Sequence, residues 1–328
     1  MTIQKRTHLS NFILKCFALL LCLLMTASSL QTVNAEALGN TSLNLDGGGN
    51  AVKAGKYIYY SFNMSGDRMG INKYDTETGE VKELCSHIYK KHSTNGFSNL
   101  NYYNGNLYCT FDQSMGTDCR EAYIYKVNTK NGKMTKLCTG YEPILINKKI
   151  YYISYIGKGE EQKITGVSRC DLNGKNTKCI YKSDCVFHIS YQNDKLYVAD
   201  YNASSDYWVQ MNLDGKKVST SKRKQEISED FSVTDNGVTY KFTKKGLIAT
   251  DNTTKKSITL IKNNTKTYCY IMEFQICGDY ILVRGHFGKK KTIKMEDGTS
   301  YKADLGELYI MKLDGSNKTL LRSWLVAE

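Results

Sequence analysis

The sequence predicts an all-β chain, a six-bladed β-propeller with four antiparallel strands per blade. Three observations predict it. Among 328 residues there are 25 tyrosines, 10 phenylalanines and one proline, and tyrosine suits a pleated, half-buried surface better than a helix. A short apolar and aromatic strand recurs six times, around Ile58, Leu107, Ile150, Leu196, Val238 and Ile281, at steps of 49, 43, 46, 42 and 43 residues. Each copy also holds two turn signals rich in Asn, Asp and Gly, residues that tolerate the positive φ of a tight hairpin.

The recurring strands read Lys56-Tyr57-Ile58-Tyr59-Tyr60, Asn106-Leu107-Tyr108, Lys149-Ile150-Tyr151-Tyr152, Lys195-Leu196-Tyr197, Gly237-Val238-Thr239-Tyr240 and Asp279-Tyr280-Ile281-Leu282. A turn precedes each, as at Asn104-Gly105 and Asp235-Asn236-Gly237. A second turn follows at Asp75 to Gly79, Asn128 to Gly132, Leu172-Asn173-Gly174, Leu213-Asp214-Gly215 and Leu313-Asp314-Gly315. Four strands per roughly 45 residues, with hairpins after the first and third, make a propeller blade. Helical repeats of similar period need apolar residues at 3.6-residue spacing, which these alternating runs lack.

Blades are expected at 50–86, 97–139, 141–182, 185–220, 230–262 and 268–322, within a domain covering 36–328. The fifth copy is the weakest, because Asp251-Asn-Thr-Thr-Lys255 replaces the glycine turn. The sixth carries an insertion, 284–306, between its second and third strands. Residues 41–45 or the C-terminal Trp324-Leu325-Val326 could close the ring. The N-terminal version is preferred, since the last copy holds a fourth strand of its own.

Ahead of the repeats, Lys5, Arg6 and Lys15 precede an apolar run, CFALLLCLLMTASSL, and small residues at Val33-Asn34-Ala35. That is the pattern of a secretory signal peptide, residues 1–35, cleaved before Glu36. The run is shorter than the ~20 residues that span hydrocarbon, so no membrane span is expected after cleavage, and the expected location is extracellular or at the cell surface. Removing the segment leaves 42 basic against 32 acidic residues. Outside the cell such a balance disfavours nucleic acid and favours an anionic surface polymer, a glycan or an acidic protein as partner; a merely solvated lysine-rich surface is the other reading. A monomer is expected.

The stretch Leu308-Tyr-Ile-Met-Lys-Leu-Asp-Gly-Ser-Asn-Lys-Thr-Leu-Leu321 resembles the YWTD repeats of low-density-lipoprotein-receptor propellers. With Gly47-Gly48-Gly49-Asn50-Ala51-Val52 and Gly55 to Ser61 it also resembles a bacterial family of secreted receptor-like propellers of unknown function. The resemblance covers about 40–322 and implies a fold and a binding role. It brings no catalytic residues, and the chain lacks a true Tyr-Trp-Thr-Asp tetrad.

Motifs for chemistry are sparse. His87, His92, His188 and His286 form no zinc-ligand spacing, and His188, in Phe187-His-Ile-Ser-Tyr191, reads as an ordinary strand residue. There is no Gly-x-Ser-x-Gly elbow, phosphate loop or EF-hand, so neither catalytic residues nor a cofactor are assigned. The expected function is a non-catalytic protein- or glycan-binding module. A propeller hydrolase or lyase with a site in the central channel is the alternative, and an acid or histidine cluster at the channel mouth would favour it.

Nine cysteines remain beyond residue 35. Cys170 and Cys179 flank the Asn173-Gly174 hairpin and form a candidate disulfide, with buried free thiols as the other reading. The candidate ligand rim lies on the 284–306 insertion, with Arg284, Lys289, Lys290, Lys291, Lys294 and Tyr301, near Tyr207 and Trp208. Loops on a rigid scaffold are where recognition concentrates.

Overall fold

The computed structural model describes residues 49–63, 68–88, 96–112, 121–157, 161–192, 194–202, 205–222, 232–243, 245–262, 269–295 and 298–325. The predicted signal peptide, the 41–45 segment and Cys119 fall outside them. Among the described residues twenty-three strands make five antiparallel sheets, each in sequential order. The first sheet is β1 (Ala51–Ala54), β2 (Tyr57–Asn63), β3 (Arg68–Asp75) and β4 (Val81–Ile88). A seven-stranded sheet follows, with β5 (Phe97–Tyr103), β6 (Asn106–Asp112), β7 (Ala122–Asn128), β8 (Met134–Ile146), β9 (Lys149–Ile156), β10 (Lys163–Asp171) and β11 (Lys178–Tyr181).

Three more four-stranded sheets complete the order. They are β12 (His188–Gln192), β13 (Lys195–Asn202), β14 (Ser205–Met211) and β15 (Lys217–Lys222); β16 (Ser232–Asp235), β17 (Val238–Thr243), β18 (Gly246–Asp251) and β19 (Ser257–Lys262); and β20 (Cys269–Cys277), β21 (Tyr280–Lys294), β22 (Ser300–Lys312) and β23 (Thr319–Leu325). Among the described residues no helix is long and apolar enough to cross a membrane.

The expectation of six separate four-stranded sheets is corrected at β8. Its first half pairs with β7 through Thr139, and its second half pairs with β9 from Gly140 onward. No turn interrupts the strand between these halves, so two four-stranded units share one continuous backbone and the sheets number five.

Neighbouring four-stranded units, counting the second half of β8 as the start of one, meet through their first strands: β1 touches β5, β5 touches β8, β8 touches β12, and β1 touches β20. First strands approach one another only near a common axis, so the sheets stand around a centre, with the first beside the last. This is a β-propeller. Ala51, Ile58, Tyr60 and Tyr74 pack on Cys277, Tyr280, Leu282 and Ile310 to close it. A 2.8 Å ion pair between Lys53 and Asp279 lies over the same junction. Among the described residues no strand crosses between these two sheets, and Trp324-Leu325 pairs with β22 of its own sheet.

The junctions are apolar for a reason visible in the register. Numbering back from each first hairpin turn, the third and first residues face the following sheet, and the fourth and second face the preceding one. Val52 and Ala54 thus meet Leu100 and Tyr102, Ile144 and Ile146 meet Ile189 and Tyr191, and Val233 meets Phe274 and Ile276. Each fully buried aliphatic or aromatic side chain contributes roughly 1.5–3 kcal/mol. The recurrent tyrosines belong here: Tyr59, Tyr108 and Tyr151 are buried and Tyr197 is half-buried.

The second turns are as regular. Asp75 Oδ1 accepts from the backbone N–H groups of Glu77 and Thr78, Asn128 Oδ1 from those of Lys130 and Asn131, and Asp251 Oδ1 from those of Thr253 and Thr254. A short side chain that caps its own turn explains why only Asp and Asn hold this place in these three copies.

Candidate functional site

In antiparallel sheets of this order, the connections between second and third strands and those between sheets lie on one face of the ring, opposite the hairpin turns. The innermost strands begin on that face. Five residues ahead of each first turn stand Asn50, Asn99, Glu142, His188 and Glu273, with Phe231 at the same place in the β16–β19 sheet but outside the described residues. All five are half-buried, so they form a polar belt at the mouth of the central channel.

Hydrogen bonds join the belt from sheet to sheet. Leu100 N–H donates to Gly49 O at 2.6 Å, linking β5 to the segment leading into β1. Asn99 Oδ1 accepts from Ser98 Oγ and from Thr110 Oγ1, both at 3.0 Å. Thr110 Oγ1 in turn accepts the Glu142 N–H at 3.0 Å. Glu142 Oε2 then accepts the Ile189 N–H at 3.2 Å and lies 3.0 Å from His188 Nδ1. A carboxylate acts only as acceptor, which makes Nδ1 the donor; in the neutral imidazole Nε2 then carries the lone pair.

Local backbone shapes these positions. Asn99 and Glu142 have φ of 53° and 52° and sit in bulges where the register shifts between Ser98 and Asn101 and between Tyr141 and Ile144. The only proline of the chain, Pro143, follows Glu142; within a bulge its missing N–H costs no ladder bond. Such a backbone costs on the order of 1–3 kcal/mol for a non-glycine residue. It persists because the Glu142 amide and carboxylate are both held.

Below the belt a second device repeats. Asn101 Nδ2 donates to Pro143 O at 2.7 Å, and Gln275 Nε2 donates to Ala51 O at 2.6 Å. Both amides stand three residues ahead of their turns, and each reaches the equivalent carbonyl of the next four-stranded unit. Farther out, the buried Asp200 accepts from Tyr181 OH at 2.6 Å, Tyr207 OH at 3.2 Å and Ser183 Oγ at 2.9 Å. These four tie the β12–β15 sheet to the strand before it.

The predicted ligand rim has a different form. The described part of the 284–306 insertion is a two-stranded arm, because β21 and β22 continue pairing from Lys290 opposite Asp304 to Lys294 opposite Ser300. Three of its cations are engaged. Arg284 lies 3.6 Å from Glu273 and Lys290 lies 3.3 Å from Asp304. Lys289 Nζ donates to the buried Glu307 at 2.7 Å and to Tyr309 OH at 3.0 Å, contacts that hold its ammonium above the usual lysine range. Lys291, Lys294 and Tyr301 are exposed. The arm therefore presents fewer unpaired charges than its composition suggests.

Cys170 and Cys179 are both free thiols, which corrects the predicted bridge. Cys179 is exposed and lies opposite Ser168, whereas Cys170 is buried in the cluster that Cys138 packs against. The bulge between Val167 and Ser168 sets this register, and spacing alone could not supply it. Among the described residues no three ligating side chains converge on a metal position.

No family model matches the chain, and no curated protein matches it. Among solved structures it is similar to a puromycin hydrolase, at 10% identity and TM-score 0.46, over 87% of this chain and 55% of that one. It is also similar to TolB from Acinetobacter baumannii, at 12% identity and TM-score 0.43, over 82% and 65%. The β-propeller domain of the trilobed protease from Pyrococcus furiosus gives 11% identity and TM-score 0.41, over 70% and 98%. The chain spans about half the length of the puromycin hydrolase. No residue role passes to it from proteins at this distance. The propeller expectation holds on the arrangement of its own sheets, and the receptor-type YWTD assignment has no matching family model behind it.

Sequence reasoning singled out neither Asn50, Asn99, Glu142 nor Glu273, and it read His188 as a plain strand residue. The signal that would have found them is the offset from the turn: polar side chains recur five residues before hairpins that the sequence does mark.

Proposed function

We propose that the chain is a six-bladed propeller acting as a non-catalytic binding module, exported and held at the cell surface, which recognises a protein or glycan at the channel mouth. Counting each half of the seven-stranded sheet as a blade supports six, since β8 exchanges β7 for β9 as partner at Gly140. Export rests on the leader pattern of residues 1–35. The observation that carries the binding role is the belt itself, with polar groups pre-positioned by hydrogen bonds from Gly49 round to His188. Donors and acceptors fixed before the partner arrives lower the entropy cost of association.

Peptide and glycan arrays probed with residues 36–328, and with Asn99→Ala and His188→Ala variants, test the reading. A ligand whose signal falls tenfold in both variants supports it; the absence of any ligand with that loss overturns it. One observation favours the enzymatic alternative, namely a carboxylate orienting an imidazole with Nε2 available, as a general base requires. Turnover of an array ligand, lost in His188→Ala, would establish that alternative; recovery of the ligand unchanged would remove it.

A further inference from the structure

One junction of the ring is unlike the rest. The Ile189 face of the β12–β15 sheet packs on β8 and β9, and the Val233 face of the β16–β19 sheet packs on β20 and β21. Their other faces are turned toward each other across the ring. Among the described residues no buried apolar cluster spans them.

Polar rows stand there instead. On the β12–β15 sheet, Ser190, Tyr197, Gln210 and Ser219 lie opposite one another across four strands. Gln210 Nε2 donates to Tyr197 OH at 3.1 Å and Ser219 Oγ donates to Gln210 Oε1 at 2.8 Å. On the β16–β19 sheet, Thr234, Thr239, Thr250 and Ser257 form the matching row, with hydroxyl contacts of 2.9 Å between Thr234 and Thr239 and 2.8 Å between Thr250 and Ser257. Trp208 stands beside the first row, edge-on to His188 with ring centroids 6.1 Å apart.

Exposure shows that the space between these rows is open. Four residues ahead of the first turn, Ala51, Leu100, Pro143, Ile189 and Phe274 are all buried, whereas Ser232 at that place is exposed, as is Thr234 two residues on.

We propose that the cleft between the β12–β15 and β16–β19 sheets is a binding site for an uncharged oligosaccharide. Hydroxyl and amide rows on both walls can exchange hydrogen bonds with vicinal sugar hydroxyls, and Trp208 supplies the aromatic surface on which a sugar ring stacks. The walls explain the choice of ligand: in a chain with 45 basic residues, the two facing rows carry no formal charge, and beside them on the same faces Lys241, opposite Ser232, and Asp206, two residues before Trp208, are of opposite sign. A polyanion gains nothing from them, and an apolar ligand would strand their hydroxyls. The cleft is separate from the belt on which the binding role above rests, apart from sharing His188 at its edge.

The chain has two tryptophans, Trp208 and Trp324, so residues 36–328 carrying Trp324→Phe report on Trp208 alone. Neutral hexasaccharides of glucose, mannose and N-acetylglucosamine are titrated against it, with oligogalacturonate as the charged comparison. The expected result is a saturable change in Trp208 emission with a neutral hexasaccharide and none with oligogalacturonate. Gln210→Leu and Thr239→Val, checked for unchanged circular dichroism, weaken binding at least tenfold, while Asn99→Ala in the belt leaves it unaltered. The proposal is overturned by no response to any neutral hexasaccharide, by equal binding of oligogalacturonate, or by full affinity in both cleft variants. Sedimentation as a dimer that Gln210→Leu dissociates would also overturn it, because a second copy would then occupy the cleft.

Discussion

Glu142 and His188 meet at 3.0 Å across the boundary between two sheets, although 46 residues separate them in the chain. The carboxylate also accepts the Ile189 N–H at 3.2 Å, so one side chain orients an imidazole and satisfies the start of the next innermost strand. Its cost is a left-handed backbone at the residue preceding the only proline.

Replacing Glu142 separates these two effects. Glu142→Ala leaves the Ile189 amide without its acceptor and is expected to lower unfolding stability in urea by about 1–2 kcal/mol. Glu142→Gly loses the same contact but relieves the positive φ, so its loss should be smaller by roughly 0.5–1 kcal/mol. Equal stability of the two variants would show that the backbone at this position is not strained.

The paired amides predict a positional contrast. Asn101→Ala and Gln275→Ala each remove one hydrogen bond from one four-stranded unit to a backbone carbonyl of the next, at about 1 kcal/mol or somewhat more. Only Gln275 spans the first and last sheets, so Gln275→Ala should speed amide hydrogen exchange in β1 and β20 selectively. Uniform acceleration round the ring in that variant would contradict closure at this junction.

Lys255 occupies the place that Gly79 and Gly132 hold in equivalent turns, with φ of 59° beside their 74° and 71°. Lys255→Gly is therefore expected to stabilise the chain by roughly 0.5–1 kcal/mol, read as a raised midpoint in thermal unfolding. A lowered midpoint would mean that the lysine side chain makes a contribution its exposed position does not suggest.

The turn aspartates set an acid limb. Backbone N–H groups of the turn help hold the Asp75 and Asp251 carboxyls below their ordinary 3.8, against a desolvation that for Asp75 is the largest single influence and pushes the other way. Carboxylates with lowered folded values contribute stability that is present above about pH 4 and lost as the pH falls below it. Asp75→Asn with Asp251→Asn keeps the turn cap, as Asn128 does naturally, and should flatten the fall in melting temperature between pH 5 and pH 3. An unchanged acid limb would place the titration elsewhere.

How much of this was legible in the sequence depends on whether the cause is local. Tyr59, Tyr108 and Tyr151 announce their strands because alternation and turn chemistry act over a few residues. Asp75, Asn128 and Asp251 announce their turns for the same reason. The candidate disulfide failed because Cys179 takes its place from a bulge at Val167–Ser168, and the lysine rim thinned because Lys289 finds its partner in Glu307, 18 residues away along the chain.

The sequence by itself determined the strand repeat, the hairpins and the all-β class. Only the tertiary structure decided that Asn50, Asn99, Glu142, His188 and Glu273 share one end of the innermost strands, that β8 belongs to two units at once, and that Ser232 is exposed where the equivalent residues of the other units are buried, with Thr234 exposed two residues on. The physical reason is one of reference. An alternating strand tells a reader that one of its faces is polar, but whether that face meets solvent, a channel or the next sheet is set by which sheets the closed ring makes neighbours.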